Sequence, residues 1–185
     1  MKRKLLPAVL AAAVSVACAA WSLTAGATLK PGDTAPQFTA QASLGGKTYT
    51  YSLADQLKKG PVVLYFYPAA FTKGCTIEAH EFAEATDDFH KLGATVIGMS
   101  ADGIDKLNQF SVSECRNKFA VGTATAATIS AYDVSIPQTT IANRTSYVIA
   151  PDGKVIFAYS AMDPSGHVTG TMDAVKAWDA AHHKG

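Results

Sequence analysis

What this chain lacks narrows its function first. Basic residues form no block in the body of the chain, and the formal net charge is only +1. Nothing in it marks a nucleic-acid surface. Cysteines number three, at 18, 75 and 115. A dithiol oxidoreductase needs C-x-x-C, but the position three after Cys75 is Glu78; a copper chaperone needs C-x-x-x-C, but the next position is Ala79. Arginine is scarce too, with only Arg116 and Arg144 beyond residue 27. There is no internal repeat and no low-complexity linker, so one ordinary domain is expected.

What is present begins with a leader. Lys2, Arg3 and Lys4 precede an almost wholly apolar run from Leu5 to Leu23, followed by Ala25-Gly-Ala27. This reads as a signal peptide over 1–27, with the domain at 28–185 and the protein periplasmic or secreted. An uncleaved membrane anchor is the alternative. Cys18 lies in a poor lipidation context because Ser15 stands where an aliphatic residue is usual. Losing three basic residues with the leader leaves 13 basic and 15 acidic side chains, a charge of −2. Two cysteines then remain, Cys75 and Cys115, 40 positions apart. In an exported protein such a pair reads equally as a structural disulfide or as a working pair.

The chain is organised around the stretch 61–75. Val62 to Tyr67 is a short apolar run rich in β-branched and aromatic residues, which predicts a strand buried on both faces. Pro68 ends it. From Thr76 to Leu92 the residues favour a helix, with Ile77, Phe82, Ala85, Phe89 and Leu92 as its apolar stripe and Gly93 as its stop. Cys75 therefore falls at a strand-to-helix turn, where helix-end N–H groups and the dipole favour a thiolate.

Around this unit the pattern predicts a hairpin turning at Gly45-Gly46, a short helix from Ser52, and a strand over 94–100 that completes a parallel βαβ unit. A helix using Ile104, Leu107, Phe110 and Val112 follows and brings Cys115 at its end. A short strand at 119–124, a short helix at 126–132, two strands joined by Pro151-Asp-Gly153, and a closing helix over 168–183 complete the chain. The expected class is α/β, a central mixed sheet flanked by helices with an N-terminal β-hairpin. His80, Glu81, Glu84, Asp87, Asp88 and His90 read as a solvated helix face rather than a metal site.

Three motifs in order now resemble a known family. Pro68-Ala-Ala-Phe-Thr72-Lys-Gly-Cys75 matches the peroxiredoxin pattern P-x-x-x-T-x-x-C in full. Gly32-Asp-Thr-Ala-Pro-Gln-Phe38 resembles that family's opening G-x-x-A-P-x-F, and Arg144 stands where the family has its active-site arginine. The turn Gly74-Cys75-Thr-Ile-Glu78 looks most like the bacterioferritin-comigratory (PrxQ) branch. The resemblance implies a thioredoxin-like fold and thiol-dependent reduction of hydrogen peroxide or organic hydroperoxides, with no cofactor and no metal. It implies Cys75 as nucleophile, with Thr72 and Arg144 binding peroxide oxygens and Pro68 walling the pocket. Glu78 would orient an arginine or the loop. Many members of the branch place a resolving cysteine five residues on, where this chain has His80. Cys115 falls where other members place it. A disulfide recycled by a thioredoxin-like reductant, here periplasmic, is the implied cycle. The alternatives are resolution by an external thiol and a peroxide-sensing domain. Neither a nucleic-acid nor a stable membrane partner is expected; monomer and homodimer are both open.

A low thiol pKa alone does not suffice for this chemistry. Moving it from about 8.5 to about 6 raises the thiolate fraction at pH 7 about thirtyfold, while each thiolate becomes less nucleophilic. Donors aimed at the peroxide oxygens must supply the rest.

Overall fold

A computed structural model describes residues 28–182. The leader expected over 1–27, with Cys18, and His183 lie outside the described residues. β1 (Thr39–Leu44) and β2 (Lys47–Ser52) form the expected hairpin, and Gly45 and Gly46 both adopt positive φ at its turn. Ser52 caps α1 (Leu53–Leu57), its hydroxyl accepting from the Asp55 N–H. Then come β3 (Val62–Phe66), α2 (Lys73–Lys91), β4 (Thr95–Ser100) and α3 (Ile104–Ser113). β5 (Ala120–Thr123), α4 (Ala126–Ala131), β6 (Thr145–Ile149), β7 (Val155–Ser160) and α5 (His167–His182) follow.

The strands form one sheet in the order β2-β1-β5-β4-β3-β6-β7. β3, β4 and β5 run parallel, as α2 and α3 crossovers require; β6 pairs antiparallel with β3 on its other side. β3 is therefore central, and all five of its residues are buried. Its alternation divides the core. Val62, Leu64 and Phe66 face one cluster, with Tyr132 and Tyr147; Val63, Tyr65 and Tyr67 face the other, with α2, α3 and α5.

α2 buries Cys75, Glu78, Ala79, Phe82, Ala83, Thr86 and Phe89. Ile77 is exposed, so the stripe expected from apolar residues alone is rotated. The true face includes a carboxylate and a hydroxyl, and Thr86 satisfies itself by donating to the Phe82 carbonyl. Phe82 stacks on Tyr65 at 4.3 Å and anchors the helix to β3. Burying each of its phenylalanines contributes about 2 kcal/mol. Val112, expected on the core side of α3, is likewise exposed. Among the described residues no helix is long and apolar enough to cross a membrane.

Candidate active site

The end of β3 delivers the chain through Pro68–Thr72 into α2. This loop is tied down from β4: Asp102 Oδ2 accepts from the Ala70 N–H at 2.7 Å and from the Ser100 hydroxyl at 2.9 Å. Phe71 takes φ +67°, a costly conformation for a bulky residue, and sets its ring edge-on to Phe110 at 5.1 Å. Thr72 occupies the N-cap, but its hydroxyl makes no cap bond. It donates instead to the Ala69 carbonyl at 3.0 Å, which leaves the oxygen's lone pairs for an incoming donor. Pro68 is half-buried beside this loop.

Cys75 lies in the first turn of α2 and is 1 % exposed. There the backbone N–H groups lack intrahelical acceptors and favour an anion. Arg144, immediately before β6, reaches it: Nη2 donates to Cys75 Sγ at 3.4 Å. The same guanidinium donates through Nη1 to Glu78 Oε2 and through Nε to the Met162 carbonyl at 3.0 Å. Three bonds thus fix a buried arginine in one pose. Gly74 makes room for it, because a Cβ there would stand 3.0 Å from Nη2. The glycine serves close approach, and its φ is not positive.

Glu78 is fully buried one turn beyond Cys75. Burial pushes its carboxyl up to about 8, with Arg144 pulling the other way. Burial also opposes the charge on Arg144, but Glu78 and Cys75 together outweigh it and hold the guanidinium above its ordinary value. Glu78 Oε1 has no hydrogen-bond partner; His167 Nδ1, from the first residue of α5, lies 3.7 Å away.

Cys115 follows the C-cap of α3 and is also buried; neither thiol is bridged. Burial, then the nearby Glu114 charge, push its thiol far above the ordinary range. Both thiols lie within electrostatic reach of Tyr65 and Tyr67. The polar face of α2 is solvated as expected, with Glu84, Asp87, Asp88 and His90 exposed, and its ion pairs also form a clasp over this segment. His80 meets Glu114 at 2.7 Å, Glu84 meets Arg116 at 3.1 Å, and Asp87 meets Lys118 at 2.7 Å. Inside the clasp Arg116 and Asn117 both take positive φ.

The structure therefore gathers Cys75, Glu78 and Arg144 around one guanidinium, sets Pro68 and Thr72 in the loop leading to them, and buries Cys115 past the end of α3 in the same core cluster as Cys75. Asp102, Ser146 and His167 also support the site. Sequence reasoning passed over them because each is an ordinary polar residue until the sheet places it.

Comparison with known proteins fits this geometry. The AhpC/TSA family profile matches residues 31–158. Peroxiredoxin Bcp of Escherichia coli K12 is 28 % identical over 160 residues, covering 83 % of this chain and 97 % of that protein. A Mycobacterium tuberculosis relative, also named a peroxiredoxin, is 32 % identical over 146 residues, covering 76 % of this chain and 90 % of its own. The crystal structure of peroxidoxin BcpB from Mycobacterium tuberculosis superposes with TM-score 0.72 at 28 % identity, covering 80 % of this chain and 97 % of that one. A mutant of Xylella fastidiosa PrxQ shares the fold at TM-score 0.72 and 24 % identity, covering 83 % and 99 %. With its fold, its buried thiol under an arginine and these relatives, the chain belongs to the AhpC/TSA family as a Bcp-like peroxiredoxin, a thiol-dependent peroxidase.

Proposed function

We propose that Cys75 is the peroxidatic thiol. The single observation that supports this most is the contact from Arg144 Nη2 to Cys75 Sγ at 3.4 Å, made inside a buried site at a helix N-terminus. The Cys75 thiolate attacks one peroxide oxygen. The S–O bond forms, the O–O bond breaks, and the electron pair leaves on the other oxygen, which takes a proton to become water or an alcohol. Arg144 stabilises the charge as it passes from sulfur to the leaving oxygen. Thr72 accepts from the peroxide hydroxyl, Pro68 limits water, and Glu78 fixes the arginine.

Cys115 then resolves the sulfenic acid: its sulfur attacks Cys75 sulfur, the S–S bond forms and water leaves. The burial of Cys115 requires segment 114–118 to open first, and the paired positive φ values at Arg116 and Asn117 lower the cost of opening. That same burial favours a second reading, in which an external thiol reduces the sulfenic acid. A thioredoxin-like dithiol returns the enzyme to its reduced form. With leader 1–27 directing export, that reductant is periplasmic; an exported protein beginning at Thr28 on N-terminal sequencing tests this.

The assay is peroxide turnover with a thioredoxin system. Cys75→Ser abolishes it, and full activity in that variant refutes the proposal. Cys115→Ser keeps one turnover but loses thioredoxin-driven cycling. Wild-type cycling in Cys115→Ser establishes the external-thiol reading instead.

A further inference from the structure

His167 has no part in the chemistry described so far, yet it is fully buried against its acid. Ser146 Oγ lies 2.8 Å from Nδ1, and the Ala161 carbonyl lies 3.0 Å from Nε2. A carbonyl only accepts, so Nε2 bears a hydrogen. In the neutral ring Nδ1 then carries no hydrogen and accepts from the Ser146 hydroxyl. It also faces Glu78 Oε1, which has no other partner. An acceptor nitrogen facing an unpartnered carboxylate oxygen is unfavourable; a proton on either one removes the conflict.

Charge counting gives the same answer. The groups facing this pair are Arg144 before β6, Cys75 and Glu81 on α2, Tyr65 on β3, Tyr159 on β7, whose ring packs edge-on to the imidazole at 4.7 Å, and Asp163 ahead of α5. Arg144 is the one permanent cation among them. It balances a single buried anion. A thiolate at Cys75 and an ionised Glu78 together leave one negative charge uncompensated in the core, which is costly.

We propose that His167 is a positioning residue for the peroxide reaction: together with Glu78 it retains one proton, and so leaves the charge of Arg144 to the Cys75 thiolate. This rests on reading Cys75 as the peroxidatic thiol. The proton resides on Glu78, on the oxygen that faces Nδ1 at 3.7 Å, where the Ser146 hydroxyl competes for the same lone pair; burial raises the carboxyl and lowers the imidazole. Once the thiolate has become a neutral sulfenic acid, Arg144 needs a new anion; Glu78 supplies it by releasing that proton, which neutralises the hydroxide or alkoxide that left, so the net charge of the site is unchanged. The three groups titrate as a unit.

The test follows the thiolate by its ultraviolet absorbance across pH, with Cys75→Ser as the blank. His167→Leu removes the acceptor for the carboxyl proton, so the Cys75 titration moves up by about one pH unit. Ser146→Ala leaves Nδ1 to Glu78 alone and moves it down. Glu78→Gln is permanently neutral and its amide donates to Nδ1, so in that background His167→Leu shifts nothing. General loosening of the site would instead move His167→Leu and Ser146→Ala in the same direction, or shift the titration in both backgrounds; either result overturns the proposal. Peroxide consumption is measured alongside. A wild type that consumes none overturns the Cys75 reading as well, whereas normal consumption with unshifted titrations overturns the role of His167 alone.

Discussion

Replacing Glu78 by glutamine should flatten the pH dependence of stability. The carboxyl titrates near 4.5 in an unfolded chain and is pushed up to about 8 in the fold by burial. Between those values the folded protein holds a proton that the unfolded chain has released. Stability therefore falls as pH rises through this window and levels off above it. A single group contributes about 1.4 kcal/mol per pH unit. The whole window amounts to about 5 kcal/mol, comparable with the lower end of a domain's total stability. Glutamine keeps the acceptor for Arg144 and has no proton to lose. Urea unfolding of both proteins from about pH 5 to about pH 9 reads the difference, and groups not coupled to residue 78 cancel. Glu78→Gln should gain on the wild type steadily towards alkaline pH. Parallel curves, or a gain towards acid, would refute the buried-proton argument.

Three other changes probe the same site. Arg144→Lys retains the charge but loses the three-pronged pose, so peroxide reduction should slow by about a hundredfold or more in stopped-flow single turnovers. Gly74→Ala places a methyl against Arg144 Nη2 and should cost about tenfold in that rate; an unchanged rate would show that the guanidinium pose is not fixed. Glu114→Gln removes the His80 contact and a charge that raises the Cys115 thiol, so disulfide formation after oxidation should quicken severalfold. Intact-mass time courses measure this, and an unchanged rate would mean that the clasp does not limit resolution.

How much of this was legible depended on what kind of signal each residue gives. Val62–Phe66, the Gly45-Gly46 hairpin and the Pro151-Asp-Gly153 turn announce themselves through local physics, and the sheet is built on them. Cys75 and Arg144 came forward through a motif and through the rarity of arginine. The face of α2 did not, because hydrophobic periodicity cannot show that Glu78 and Thr86 are buried while Ile77 is not. Their burial depends on partners at residue 144 and on self-satisfied hydrogen bonding. The pairing of His80, Glu84 and Asp87 with 114–118 was equally hidden. A solvated, charged helix face looks the same whether or not its side chains reach across to another segment of chain. His167 was the least visible, being a helix-starting histidine until the fold sets it beside Glu78.

The most direct test of the account is to locate the first oxygen. Reduced Cys115→Ser protein is treated with one equivalent of hydrogen peroxide in the presence of a sulfenic-acid trap, digested, and mapped by mass spectrometry, with Cys75→Ser beside it. The account predicts a trapped sulfenic acid on Cys75, formed quickly, and no trapped adduct in Cys75→Ser. An adduct elsewhere, or a Cys75 left untouched by peroxide, would contradict it.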